Sequence, residues 1–252
     1  MRRHLFAWLL ALLPLVGWAA EDGGAALDAM TPDLHDKASL QRGMVLFIDE
    51  CAGCHSLQYQ RFSRAARDLG IPRDRLEKNL IFPESLDFND PIRTGMAPDD
   101  GEAWFGVAPP DLTLEARLRG TDWIYTYLRS FYRDPERPWG VNNTVFPGVA
   151  MPNVLEPLQG VQEPVCEDAG RAGGGRDPGH HRSCRTLEIV TPGRLSSAAF
   201  DRAMWDLTNF LAYVGEPARL QAEAIAPRVL IFLAVFALIA YLLKREYWRD
   251  VH

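Results

Sequence analysis

The sequence predicts a mainly α protein: one helical domain with long ordered loops and a small β-hairpin, followed by a single C-terminal transmembrane helix. Three observations carry this. Apolar residues return at intervals of three and four in three separate stretches, the signature of amphipathic helices. Pro135, Pro138, Pro147, Pro152 and Pro157 interrupt residues 133–160, so that segment reads as a long ordered loop, and loops of that length inside compact domains are usually functional. Val229 to Leu243 is an unbroken apolar run.

In chain order, Met1 to Ala20 comes first. Arg2, Arg3 and His4 precede an apolar run from Leu5 to Val16 that ends in the small residues around Ala19 and Ala20, which is the layout of a secretory signal peptide spanning residues 1–20. An exported protein follows, and export permits disulfides. Next, Leu40, Met44, Phe47, Ile48 and Cys51 repeat at helical spacing, predicting an amphipathic helix that closes on Cys51. It ends in the sequence Cys51-Ala52-Gly53-Cys54-His55. Two thiols three apart followed at once by an imidazole form the attachment motif of a c-type haem. Continued as a helix, the motif would put Cys51, Cys54 and His55 on one face, the thiols toward a porphyrin edge and the imidazole toward iron. A redox pair would be expected near a βαβ pattern, and a zinc site would want two more closely spaced ligands; Cys166 and Cys184 are too far apart for that. The expectation is one covalently bound haem c in a cytochrome c-type domain over residues 21–227.

Further along, Thr121-Asp122 is read as the N-cap of a second helix whose Trp123, Ile124, Tyr127, Leu128 and Phe131 share a face. Ser197 is read as capping a third, with Phe200, Met204, Leu207 and Leu211 inward, and Gly215 and Pro217 ending it. The run at 229–243 is short for a bilayer, but residues 222–227, snorkelling of Arg228, and Tyr247 with Trp248 at the other interface complete a span. The anchor is placed at 228–245 and the tail at 246–252. Lys244, Arg245 and Arg249 put that tail in the cytoplasm, which leaves the haem domain on the periplasmic side of the inner membrane.

Of 252 residues, 27 are Lys or Arg and 33 Asp or Glu. Setting aside residues 1–20, with two basic side chains, and 228–252, with four basic and two acidic, leaves 21 basic and 31 acidic, a formal −10. Such a surface disfavours nucleic acid and suits a basic soluble partner steered by long-range attraction. A haem held below by His55 also needs a ligand above. Met151, in the Pro-rich loop where rigid backbone can hold a thioether, is preferred; Met96 stays open as the rival, while Met44 and Met204 fall on helix faces suited to the core.

These residues together resemble the cytochrome c1 family, the haem subunit of the bacterial quinol–cytochrome c oxidoreductase (cytochrome bc1 complex). The resemblance runs through Cys51–His55, Ala108-Pro109-Pro110-Asp111-Leu112-Thr113, the stretch from Arg119 to Tyr132, Met151-Pro152 and the C-terminal anchor. It implies that His55 and Met151 are the axial ligands and that Cys51 and Cys54 carry the thioethers. It also implies that the segment around Pro109 and Pro110 lines the His side, one of their carbonyls accepting the second ring N–H of His55. A basic residue near the haem propionates is implied as well, with Arg117 the first candidate and Arg119 the second. The function implied is electron transfer from a Rieske iron–sulfur protein to a cytochrome c, with the anchor against cytochrome b and no separate substrate site. A membrane-tethered cytochrome c working alone, or an open-iron enzyme such as a peroxidase, are the alternatives. Carbon monoxide binding to the native reduced protein would favour the enzyme, and co-purifying subunits the complex.

One stretch departs from the pattern. Between Cys166 and Cys184 lies a Gly-rich insert, flexible by composition, with His180 and His181 near its tip. Two Cys flanking it in an oxidising compartment are expected to form a disulfide, and Val165-Cys166 with residues 186–190 a small β-hairpin. The two adjacent His are read as solvated more readily than as metal ligands.

Overall fold

The structure, a computed structural model, describes residues 26–82, 84–165 and 186–249. The expected signal peptide, the insert with His180 and His181, and both Cys166 and Cys184 lie outside the described residues.

Two helices form the spine. Helix α1 (Lys37–Glu50) starts where the Asp36 carboxylate accepts the Ser39 N–H at 3.0 Å, and it buries Leu40, Met44, Phe47 and Ile48. Short elements follow: β1 (Leu57–Arg61), α2 (Phe62–Leu69), α3 (Arg73–Leu80), β2 (Pro91–Ile92), α4 (Pro98–Phe105) and α5 (Glu115–Arg119). After α6 (Thr121–Arg129) come the paired strands β3 (Phe131–Arg133) and β4 (Val141–Asn143), and the single turn α7 (Glu156–Gln159). Strands β5 (Gly160–Val165) and β6 (Thr186–Pro192) pair antiparallel and lead to α8 (Ser197–Gly215) and α9 (Arg219–Tyr247). Half-expected elements thus appear, with the Pro-rich loop holding more local structure than its prolines suggested.

Helix α8 packs along α1. Phe200, Met204, Leu207 and Phe210 are buried from its side, and the Phe47 and Phe210 rings sit 6.1 Å apart. The cap of α8 is Ser196 rather than Ser197, its side chain accepting from the Ala199 N–H. The two helices approach closely at Gly43, where an added Cβ would collide with the Asp206 carbonyl and meet the Phe210 Cβ at 2.7 Å. Beside it, the Arg42 guanidinium donates to both oxygens of the buried Asp206 carboxylate, at 2.6 and 2.9 Å. Arg42→Ala would leave that carboxylate without its charged donors; because Arg42 is itself half exposed and water can reach the pair, the cost is about 2 kcal/mol. Chemical denaturation checks this, and a loss under about 0.5 kcal/mol would mean that solvent already satisfies Asp206.

Helix α6 differs from its expected form. Thr121 and Asp122 do not cap it; Gly120 does, at a φ of +86°. Thr121 Oγ1 instead donates to the Met30 carbonyl at 2.8 Å, and Asp122 Oδ1 accepts the Met30 N–H at 2.7 Å, so both side chains tie down the segment before α1. The apolar residues also divide over two faces. Ile124 and Leu128 enter the main core, whereas Trp123 and Tyr127 turn to a cleft, and Phe131 has already left the helix for β3.

The hairpin reaches further inward than expected. Its register runs from Gly160↔Pro192 to Val165↔Thr186, and Gly160, at φ +98°, has the Gly193 nitrogen 2.6 Å from where a Cβ would stand. The terminal pair Val165↔Thr186 leaves Cys166 and Cys184 within two residues of the strand ends. Joined, they would close a loop of about eighteen residues and stabilise by about 3 kcal/mol in the chain-entropy model. Peptide mapping under non-reducing conditions is expected to find them linked; two free thiols would exclude the bond.

Helix α9 has 29 residues, about 43 Å at 1.5 Å each. It is long and apolar enough to cross a membrane, and its side chains are not buried by the other described residues. It begins at Arg219, includes the expected anchor at 228–245, and runs through Pro227, whose missing N–H leaves the Glu223 carbonyl without its helical partner.

Candidate haem site

The motif at the end of α1 folds as a continuing turn. Cys51 is the C-cap, its N–H bonded to the Phe47 carbonyl, and the Cys51 carbonyl then accepts the N–H groups of Cys54 at 3.0 Å and His55 at 2.8 Å. The i to i+4 bond to His55 is the one that gathers the two thiols and the imidazole, so the shared face follows from local hydrogen bonding. Among the described residues both thiols are free. Burial, with Glu50 and Cys54 adding to it, pushes the Cys51 thiol up to about 12, so it stays protonated.

A strap of backbone holds this turn. The Leu112 N–H bonds the Ser56 carbonyl at 2.9 Å, Asp111 accepts the Gln58 N–H at 2.8 Å, and Thr94 Oγ1 donates to the Gly53 carbonyl at 2.8 Å. The strap brings the Pro110 carbonyl to 2.7 Å from His55 Nδ1. A carbonyl can only accept, so Nδ1 carries the hydrogen and Nε2 keeps its lone pair. Burial lowers the proton affinity of this imidazole, opposed by the Pro110 contact, and favours the neutral ring.

Cys51, Cys54 and His55 line a cleft of about 990 Å³, part of it open to solvent, that Pro109, Pro110, Leu112, Trp123, Tyr127, Phe146, Val149 and Met151 also line. Met151 is placed there by a loop that two adjacent Asn residues organise. Asn143 Oδ1 accepts from the N–H groups of Val145 and Phe146, and its amide donates to the Tyr127 carbonyl at 2.8 Å. Asn142 Oδ1 accepts the Gly148 N–H at 2.8 Å, while Arg137 donates to the Gly148 carbonyl at 2.7 Å. Phe131, Val141 and Val149 form a small apolar cluster behind, with Tyr127 and Met151 packed on it. The Tyr127 hydroxyl donates to Met151 Sδ at 3.3 Å, and burial pushes its phenol well above the ordinary value.

The other candidates fall elsewhere. Met96 does not line the cleft; its sulfur lies by Gly101. Met44 and Met204 are fully buried in the core. Arg117, the first candidate for a propionate partner, also stays off the cleft: it reaches Glu216 at 3.5 Å and packs against Gly215. Arg119, the second candidate, lines the cleft, with its guanidinium 4.4 Å over the Trp123 ring and its Nε bonded to Glu115 at 2.7 Å. The helical period that groups α5 and α6 residues cannot say which of two Arg two positions apart turns inward, since they sit on different sides of one turn. Trp123 and Tyr127 read from the sequence as part of one apolar helix face, and nothing local marks them or Phe146 as cleft residues. The Asn142-Asn143 pair in a Pro-rich stretch is a turn signal that was there to be read.

The residues present fit a haem: an apolar cleft, two free thiols and an imidazole with one nitrogen already committed stand together, with a thioether and a cation at the same cleft. Such a cleft on a mainly α frame makes this a c-type cytochrome. The sequence profile of the Cytochrome C1 family matches residues 29–162. The chain is 48% identical to a cytochrome c1 from Allochromatium vinosum over the whole of both chains. It is 38% identical to a protein from Nitrosomonas europaea named ammonia monooxygenase gamma subunit, over 99% of this chain and 100% of that one. It is also 27% identical to a cytochrome c1 from Rhodospirillum rubrum, over 86% of this chain and 83% of that one. The chain therefore belongs to the cytochrome c1 family: it is an electron-transfer haem subunit of the cytochrome bc1 complex, membrane-anchored, with one covalently attached haem c.

Proposed function

We propose that this chain takes one electron at a time from a Rieske iron–sulfur protein and delivers it to a cytochrome c, with α9 packed against cytochrome b. The haem domain stands on the periplasmic side of the inner membrane, and Lys244, Arg245 and Arg249 hold the C-terminal end in the cytoplasm. Cys51 and Cys54 would hold the haem covalently, His55 and Met151 would ligate its iron, and Arg119, which lines the cleft where Arg117 does not, would be the cation that meets its propionates. The bound haem supplies one-electron chemistry. The Pro110 carbonyl orients the His55 ring and raises its basicity. Pro109 packs against Gly101 at the same rim.

The observation that carries this reading is the presence of both His55 and Met151 on one cleft. With the His55 imidazole and the Met151 thioether both given to iron, a bound haem would carry electrons rather than take up oxygen or substrate, and such ligation would favour a raised potential. That supports a carrier over a peroxidase. Purification in mild detergent is the test: a cytochrome b and a Rieske protein are expected to travel with the chain, and a haem protein that purifies alone would instead be a tethered carrier.

The formal −10 of residues 21–227 supports a basic acceptor. Reduction of a basic soluble cytochrome c is expected to slow as ionic strength rises, because exposed charges are screened beyond a Debye length of about 10 Å at 0.1 M. A flat profile would mean apolar docking or a permanently bound acceptor.

A further inference from the structure

We infer that Tyr127 is a positioning residue for the electron-transfer centre: its hydroxyl, 3.3 Å from Met151 Sδ, holds the sulfur toward the cleft and raises the potential of the haem. This rests on Met151 being the axial ligand.

The ring is fixed on several sides. It stacks on Trp123 with centroids 4.9 Å apart and planes at 10°, and meets Phe131 edge-on at 5.1 Å. Its own carbonyl is held by Asn143, the residue that also organises the loop leading to Met151. Donor and acceptor are thus carried by one hydrogen-bonded unit. Among the described residues the hydroxyl has Met151 Sδ as its single partner. A phenol keeps its hydrogen at neutral pH, and a thioether has no hydrogen to give, so the direction of the bond is settled by chemistry.

Two consequences follow. Methionine has three rotatable bonds, and a donor on its sulfur selects among the rotamers they allow. A donor also draws electron density from the sulfur lone pairs, leaving less for the metal. Oxidised iron depends on that donation more than reduced iron does, so the hydroxyl favours the reduced form. Its removal lowers the potential.

Tyr127→Phe deletes the hydroxyl and keeps the ring in its stack. In the membrane-bound complex, redox titration of the variant is expected to show the reduced-to-oxidised ratio at fixed ambient potential falling roughly three- to tenfold, which is about 30 to 60 mV for one electron. The weak far-red absorption of the oxidised, sulfur-ligated haem is expected to shift, with carbon monoxide still excluded from the reduced protein. In Tyr127→Leu, which also removes the ring, the fall should be at least as large. An unchanged potential in Tyr127→Phe with a shift confined to Tyr127→Leu would assign the effect to ring packing and overturn the inference. Met151→Leu separates this result from the ligand assignment. It is expected to admit carbon monoxide and lower the potential, and adding Tyr127→Phe to it should change nothing more. If Met151→Leu behaves as the parent, the ligand is another residue; if only Tyr127→Phe does, the ligand stands and the hydroxyl has no part.

Discussion

Replacing Cys51 and Cys54 together by Ser is expected to abolish haem staining of the denatured polypeptide and to lower the amount of the chain that accumulates in the membrane fraction. The first effect is chemical, since a hydroxyl forms no thioether with the porphyrin. The second is physical. The cleft is lined by Val149, Phe146, Trp123, Leu112, Pro109 and Pro110, and without a covalently held occupant this apolar wall faces water. Part of the folded chain's stability then depends on a ligand that can leave, and the fraction unfolded at any time grows as it leaves. Each single variant keeps one possible thioether and is expected to retain haem at reduced yield, Cys51→Ser faring worse because Cys51 is buried and also caps α1. Staining at the parental level in the double variant would sink the motif as the attachment site.

Gly43→Ala is expected to destabilise the haem domain by about 3 kcal/mol, although an Ala in mid-helix is worth about 1 kcal/mol more than Gly. The two effects oppose, and the nature of the neighbour decides between them. The new methyl would fall on the Asp206 backbone carbonyl, which belongs to α8 and cannot rotate away as a side chain would. The helices must then separate. Separation also pulls the Asp206 carboxylate from Arg42, one residue along, so packing and ion pairing are lost together. Because α1 runs straight into Cys51, the shift reaches the haem turn, and haem content of the purified variant should fall along with its melting temperature. A variant more stable than the parent would show that helix propensity outweighs the contact and that the helices have room to move.

Arg42 and Gly43 illustrate the limits of reading the chain alone. Gly43 sits among Leu40, Met44 and Phe47, where periodicity correctly predicts a helix, and by propensity alone it is a weak point. Its use is visible only once α8, more than 150 residues later, lies against it. The same holds for Asp122, whose type suggested a cap and whose actual partner is Met30.

What the sequence by itself determined was local or compositional. The haem motif needs only five consecutive residues, and its turn is closed by hydrogen bonds within them. The amphipathic faces of α1 and α8 need only a period of 3.6, and the membrane span of α9 only a run of apolar side chains. The hairpin on Thr186–Val190 needed only strand formers on either side of a Gly-rich stretch. The tertiary structure alone decided which sulfur lines the cleft, which of Arg117 and Arg119 turns into it, that Pro110 and not Pro109 meets His55, and that Tyr127 reaches Met151. Each of these is a contact between segments tens of residues apart. Its geometry is set by how α1, α6 and the Pro-rich loop pack together, and no period or propensity within any one of them encodes the distance to another.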